Sequence, residues 1–503
     1  MPIPAPKYRT RKLPQALIAK AEKLAHQHTK KVILKKTYPK VLTISFRNRR
    51  DCAELVRLIK KWTDAKTISI SGVVDRPRSA RKIERHDGWV GMPEFQQNRN
   101  DWVSQRMKVS CRTANAYAAL ANVLRQRLTI LTKSAYFPKW SAGDVAGFCW
   151  KSTLPRNRIT PRYPIYIVSK GRAYSRLTSK TLDEMNVPYY IVIEPHEYDA
   201  YASVIDKKKI RTLPYVTDPA NPTGPGRARE WCARHAAADG YRRHWVMDDN
   251  ILNFFRLHNN RRYRVADGAI FRAAEDFVDR YDNVLVAGFQ YRHFAASKLK
   301  YPPFVANTRI YSCLLIDNRF VFELPPNAPA DEKPKLVKRP KVMGDHQFLW
   351  REQYNEDTIL SLDVMWNGFC TVQFNAFLQG KVATQVLKGG NSEIFYSKEG
   401  SAKVKFSGDG RYNPGGTVRK SVNLEVVYPE VDRTTFRYNR THHHVDYRRF
   451  KKNEMKLRKG HRLFKGVNNY GMRLVPNSSR NQRTQNTMRP RRCERVLQSG
   501  LDV

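Results

Sequence analysis

From Pro164 to Asp249 short, continuous apolar runs alternate with helical patterns, and this alternation constrains the fold more than any other feature of the chain. PIYIVS (164–169), VPYYIVIEP (187–195), TLPYV (212–216) and RHWVM (243–247) read as strands. Between them SRLTSKTLDEM (175–185), EYDAYASVI (197–205) and a segment ended by Gly240 read as helices. Parallel strands need long crossover connections, so strand and helix in alternation predict an α/β domain with a mainly parallel sheet and helices on both faces. Such a sheet binds ligands beyond the carboxyl ends of its strands.

The residues at those ends suit a nucleotide. Asp248, Asp249 and Asn250 follow RHWVM directly, which concentrates negative charge where a hard divalent cation bridging a diphosphate needs oxygen ligands. Asp and Asn are equally common in solvated turns and helix caps. The first strand ends in Ser169, Lys170, Gly171 and Arg172, a glycine for close approach of backbone and two cations for a departing diphosphate. Glu194 closes the second strand. GPGRARE places Gly224, Gly226, Arg227 and Arg229 at a helix start, whose free N–H groups suit phosphate. No GxxxxGK[ST] loop occurs, so ATP hydrolysis is not supported.

Downstream, NEDTILSLDVMWNGFCT (355–371) sets Glu356 and Asp357 before an apolar helix. These acids either complement the helix dipole or include a base for an acceptor hydroxyl. His442, His443, His444 and Asp446 in THHHVDYRRF read either as metal or phosphate ligands or as a solvent-exposed run.

Lys and Arg number 92 against 45 Asp and Glu, and a net charge of +47 implies a polyanionic partner, nucleic acid first. Seven scattered cysteines without CxxC spacing argue for a reducing compartment and against zinc or disulfides. With no signal peptide and no long apolar run, a soluble cytoplasmic protein is expected. Residues 42–70 and 107–136 share a strand, helix, strand pattern, so 1–155 reads as two small α+β modules side by side, with chance similarity as the alternative. The segments around Gly91, Met92 and Pro93 and at TLPRNRITPRYP read as boundaries. Residues 453–503 read as a basic, largely disordered tail.

IYIVSKGR, VPYYIVIEP, the Gly-Arg loop, WVMDDN, EDTILSLDVMWNGFCT, KGGN and HHHVDYRRF together resemble the TET-associated glycosyltransferases from about Pro164 to about Lys451. The resemblance implies a GT-A-type nucleotide-diphospho-sugar transferase domain over 160–452, acting on hydroxymethylated pyrimidines such as hydroxymethylcytosine in double-stranded DNA. It implies a UDP-sugar or similar donor held by Ser169, Lys170, Gly171, Arg172, Glu194, Gly226, Arg227, Arg229 and Asp248. It also implies a divalent ion (Mn or Mg) on Asp248 and Asp249, to which His443 and His444 are candidate additions. Glu356 and Asp357 are then the acids beside the acceptor, Asp357 the base of an inverting displacement. Glu230 stands where Asn is expected after the Arg in many relatives. Rival readings are a nucleotidyltransferase, a protein O-glycosyltransferase and a non-catalytic DNA-binding protein.

Overall fold

A computed structural model describes residues 14–34, 40–46, 49–62, 67–75, 87–95, 105–126, 128, 132–137, 144–218, 224–259, 261–295, 301–319, 321–323, 333, 335–337, 350, 355–382, 390, 415–437 and 440–477. In the N-terminal part β1 (Lys40–Phe46), β2 (Ile68–Asp75), β3 (Gln105–Cys111) and β4 (Ser134–Phe137) form one sheet in the order β2-β3-β1-β4. The two similar segments are therefore interleaved rather than packed side by side. β1 pairs with β3, Ile44 opposite Met107, and the second strand of each segment pairs with the first strand of the other. One shared core of Leu42, Ile44, Leu55, Ile59, Met107, Val109 and Leu120 explains the interleaving: neither segment alone could cover its apolar face.

The larger sheet has twelve strands among the described residues. They are β5 (Asp144–Ser152), β6 (Ile165–Val168), β7 (Tyr190–Ile193), β8 (Ile210–Thr212), β9 (Arg243–Asp248), β10 (Ile251–His258), β11 (Arg261–Val265), β12 (Val284–Tyr291), β13 (Phe304–Ala306), β14 (Cys313–Asp317), β17 (Cys370–Lys381) and β20 (Met472–Pro476). The missing numbers belong to two hairpins, β15 (Val321–Glu323) with β16 (Lys335–Val337) and β18 (Asp432–Arg437) with β19 (Arg440–Val445). The main path runs β20-β5-β11-β10-β17-β12-β14-β9-β6-β7-β8, with β13 beside β17.

This sheet is mixed, which corrects the mainly parallel sheet expected from the sequence. The four strands read from the alternation, β9, β6, β7 and β8, are parallel neighbours. β14 is antiparallel to both β9 and β12, while β17 runs parallel to β12 and antiparallel to β10. β10 and β11 form a hairpin through Asn259 at φ +50°, too short a link for a parallel crossover. β8 lies two residues before its expected position, because Pro214 has no N–H to give to a ladder.

Each central strand is buried on both faces. Ile165, Ile167, Trp245 and Met247 pack beneath the helix Ala269–Val278. On the other face Tyr166, Val192, Val246 and Leu314 meet Trp231, Cys232, Leu360 and Val364 of the helices Gly226–Ala238 and Glu356–Trp366. The latter helix also turns Ile359, Leu362 and Met365 toward Leu424 and Val427 of the helix Gly415–Val427 and toward Tyr428 just after it, so it is enclosed on two sides.

The expected boundary at Gly91–Pro93 is instead an anchor. Trp89 and Met92 are buried in the core of the large sheet, and Gly91 N donates to Gly466 O at 2.8 Å. Residues 453–477, expected as disordered tail, are packed: β20 pairs with β5, and Asn283 donates to Glu454 O at 2.8 Å. Residues 478–503 lie outside the described residues. The six described cysteines are buried and free. No described helix is long and apolar enough to cross a membrane.

Glu275 lies fully buried under the sheet and organises this face. It accepts from Arg162 N (2.8 Å), Tyr163 N (3.3 Å) and Trp245 Nε1 (2.9 Å), and burial pushes its carboxyl up to about 7. Each buried donor left without a partner costs about 1–3 kcal/mol, so Glu275→Ala should destabilise the protein by about 3 kcal/mol or more in chemical denaturation. A loss below about 1 kcal/mol would show that water replaces the carboxylate without penalty.

Candidate active site

The strand directions bring the carboxyl ends of β6, β7, β9, β12 and β17 and the amino end of β14 to one sheet edge. Asp248 ends β9 there, and its backbone N–H donates to Ser312 O at 2.9 Å. Thr178, in the helix Leu177–Glu184, pins the turn that follows: its hydroxyl donates to Asp248 O (2.6 Å) and accepts from Ile251 N (2.9 Å).

Asp248 is the centre of a charge network. Arg229 Nη2 donates to its Oδ1 at 2.6 Å and Lys381 Nζ to its Oδ2 at 2.5 Å. Burial alone would raise the Asp248 carboxyl, but the Lys381 ammonium and the Arg229 guanidinium outweigh it and hold the group well below the usual carboxylate range. Lys381 also donates to Ser312 Oγ at 2.8 Å. Burial would lower its ammonium, yet Asp248 raises it above the ordinary lysine range, so it stays charged.

Arg229 reaches further. Its Nη1 donates to Glu356 Oε1 at 2.9 Å, so one buried guanidinium joins the strand-end acid to the acid at the start of the helix Glu356–Trp366. Asp357, the next residue, is half-buried, and Thr358 N donates to its Oδ1 at 2.7 Å. Burial pushes Glu356 up to about 7, Arg229 opposing, and burial likewise raises Asp357. Asn355 holds this helix start in place by donating to Lys420 O at 2.6 Å.

Asp249 faces the loop after β6. Ser169 Oγ donates to Asp249 Oδ2 at 2.7 Å, and Arg172 pairs with Oδ1. Burial raises the Asp249 carboxyl despite Arg172. Ser169 is buried and also bonded to Tyr201 Oη at 2.6 Å, so it shapes this loop from below. Gly171 sits at φ +66° and donates its N–H to Glu197 at 2.5 Å. Lys170 is paired with Glu194 at 3.1 Å, and Glu194 also accepts from Thr217 N (3.1 Å) and Thr217 Oγ1 (2.5 Å). Gly390 at φ +63° donates to Lys170 O at 2.9 Å, and a Cβ there would stand 3.0 Å from Arg172 Nη2. The glycine thus lets the guanidinium lie against backbone.

Gly226 opens the helix Gly226–Ala238, and Arg227 lies with its guanidinium 3.8 Å from the centroid of Tyr215. Glu230 is tied to Arg234 at 3.1 Å within the same helix, a structural pair. The geometry therefore brings Ser169, Arg172, Arg229, Asp248, Asp249, Glu356 and Asp357 into one network, with Lys170, Gly171 and Glu194 at its margin.

A divalent ion needs uncommitted oxygens, and the acidic motif has few. Both Asp248 oxygens carry cations and Asp249 carries Ser169 and Arg172. Asn250 Oδ1 is buried with no hydrogen-bond partner, one neutral oxygen. His443 and His444 lie on β19 opposite Thr434 and Arg433. Among the described residues no three His, Cys, Asp or Glu side chains are grouped to hold a metal. The side chains as arranged do not fit the expected ion.

Lys381 was not singled out in the sequence. The signal was a lone lysine ending the apolar run CTVQFNAFLQGK, but only the sheet order places that end beside Asp248.

No curated protein matches the chain. Residues 163–390 match the family model described as TET-Associated Glycosyltransferase, a span that takes in β6 through β17, Arg229, Asp248, Asp249, Glu356, Asp357 and Lys381. The chain thus carries a domain of the TET-associated glycosyltransferase family over residues 163–390, and the protein is a glycosyltransferase.

Proposed function

We propose that this edge binds a nucleotide-diphospho-sugar, such as a UDP-sugar, and transfers the sugar to the hydroxyl of a hydroxymethylated pyrimidine in DNA. The observation that carries the reading is the Arg229 bridge between Asp248 and Glu356, which sets donor-side and acceptor-side acids within one guanidinium's reach. A parallel quartet β9-β6-β7-β8 extended by antiparallel β14 supports a GT-A-type donor half. The DNA target is supported by the net charge of +47 and by the family's association with TET chemistry. Exposed Arg49, Arg50, Lys60, Lys61, Arg106, Lys108 and Arg112 on the N-terminal sheet and its helices are suited to phosphate contacts, which position a duplex without reading its sequence.

In this reading the bond from the anomeric carbon to the diphosphate breaks with its electron pair on the leaving phosphate. The acceptor oxygen forms the new bond from the opposite side, inverting that carbon, and its proton passes to Asp357. Asp357 suits the base better than Glu356, whose Oε1 is committed to Arg229. Burial raises the proton affinity of Asp357 toward the working pH, which favours base catalysis. Lys381 and Arg229 are fixed cations at the same edge, and Arg172 is a third. They supply the positive charge that a divalent ion would otherwise bring to the leaving diphosphate. No step is assigned to a metal.

Three results are expected. Asp357→Asn keeps donor and DNA binding but slows single-turnover transfer by about a hundredfold to ten-thousandfold, with Glu356→Gln milder. If Glu356→Gln is the slower, the roles are exchanged; if neither is slow, the base lies elsewhere. Because the base must be deprotonated and its carboxyl is raised, the acidic limb of the wild-type pH profile should lie above the ordinary carboxylate range. A limb near pH 4 would contradict the assignment. Lys381→Met should lower kcat by about a hundredfold to a thousandfold, while wild-type transfer persists in EDTA. Complete loss in EDTA, restored by Mn or Mg, would return Asp248 and Asp249 to metal binding.

A further inference from the structure

Past Asp248 on the side away from Glu194, the sheet edge carries an aromatic ladder. Tyr291 ends β12 and Tyr311 lies just before β14, and their rings stack at 5.8 Å and 16°. His293 stacks on Tyr291 at 5.2 Å and 13°. Phe294 meets His293 edge-on at 4.2 Å and is 54% exposed. The inner end reaches the acids: Tyr311 is hydrogen-bonded to Thr358 and lies within the field of Asp357, and the Arg309 guanidinium is 5.0 Å from the Tyr311 centroid. Tyr291 Oη shares a hydrogen bond with Ser312 Oγ at 2.7 Å, the hydroxyl that also takes Lys381.

Core packing does not account for this arrangement. An exposed phenylalanine at the end of a stack buries little apolar area, and an apolar core would not place tyrosines among Asp248, Lys381 and Asp357. Parallel rings leading from solvent to a carboxylate suit a flat aromatic ligand, because every nucleobase has a π-face that stacks on tyrosine or phenylalanine. The ladder stands over β12 and β14, whereas Ser169, Lys170 and Glu194 stand over β6 and β7, so it lies apart from the donor's side of the edge.

We propose that the His293–Tyr291–Tyr311 ladder is the acceptor site for an unstacked nucleobase, with Phe294 as the wedge that fills the stack the base has left. This rests on the glycosyl-transfer reading above and specifies its acceptor: a planar base rather than the hydroxyl of a protein or a free sugar. An enzyme acting on one base must take it out of the helix, and an inserted aromatic side chain offsets part of the lost stacking.

The test uses the full chain and a DNA duplex carrying one 5-hydroxymethylcytosine. Phe294→Ala and His293→Ala should each raise its KM by roughly five- to a hundredfold with kcat near wild type, the range of base-to-aromatic stacking. UDP affinity by calorimetry should not change, and Phe294→Trp should restore KM whereas Phe294→Leu should not. An unchanged KM, or rescue by leucine as full as by tryptophan, overturns the ladder while leaving transfer to DNA standing. Wild-type enzyme that glycosylates a peptide hydroxyl and no hydroxymethylated oligonucleotide overturns the acceptor reading itself, and the ladder with it.

Discussion

A guanidinium buried at a sheet edge needs charged partners, and Arg229 has Asp248 on one side and Glu356 on the other. Much of the site follows from this one residue. It fixes the helix Gly226–Ala238 against the end of β9 and fixes the start of the helix Glu356–Trp366 against both. The latter helix has no freedom to shift, since Leu360 and Val364 pack on the sheet while Ile359, Leu362 and Met365 pack on the helix beyond it. The acids are therefore held by the core rather than by a loop, which is the kind of placement that catalysis by oriented charge requires.

The remaining charges fit around that pair. Lys381 arrives from β17, a strand 133 residues later in the chain, and occupies the second oxygen of Asp248. Arg172 and Ser169 occupy Asp249, and Gly390 gives Arg172 room against the backbone. Asp248, Asp249 and Glu356 thus each have a fixed basic partner, and Arg172, Arg229 and Lys381 are held at the edge where a diphosphate would approach. The same partners are the reason the acidic pair is poorly suited to caging a cation in this arrangement.

How much of this was legible beforehand depended on how local the cause was. β6, β7 and β9, with the helices between them, were readable because continuous apolar runs bounded by turn residues leave few alternatives. The burial of the Glu356–Trp366 helix was readable because it is apolar on nearly every side. Asp248, Asp249 and Glu356 were named from position alone, and Arg229 from its place at a helix start. Their mutual geometry was not readable, because Arg229 bonds an acid 127 residues away. The antiparallel strands escaped for the same reason: β12, β14 and β17 are as apolar as the parallel ones, and direction is set by neighbours distant in sequence. Gly91, Met92 and Pro93 read as a joint because turn residues dominate there, although the large apolar side chains of Trp89 and Met92 signal burial. Lys381 and the Tyr291–Tyr311 stack were invisible without the sheet order.

The central claim is that this edge moves a sugar onto a hydroxymethylated base. Mass spectrometry of nucleosides released from hydroxymethylated DNA, after incubation with the purified protein and a panel of nucleotide sugars, tests it most directly. The account predicts a hexosylated hydroxymethylpyrimidine nucleoside formed with one nucleotide sugar, with release of the nucleoside diphosphate, and no such product from unmodified DNA. Release of pyrophosphate, or unmodified nucleosides throughout while a protein substrate gains the sugar, would contradict it.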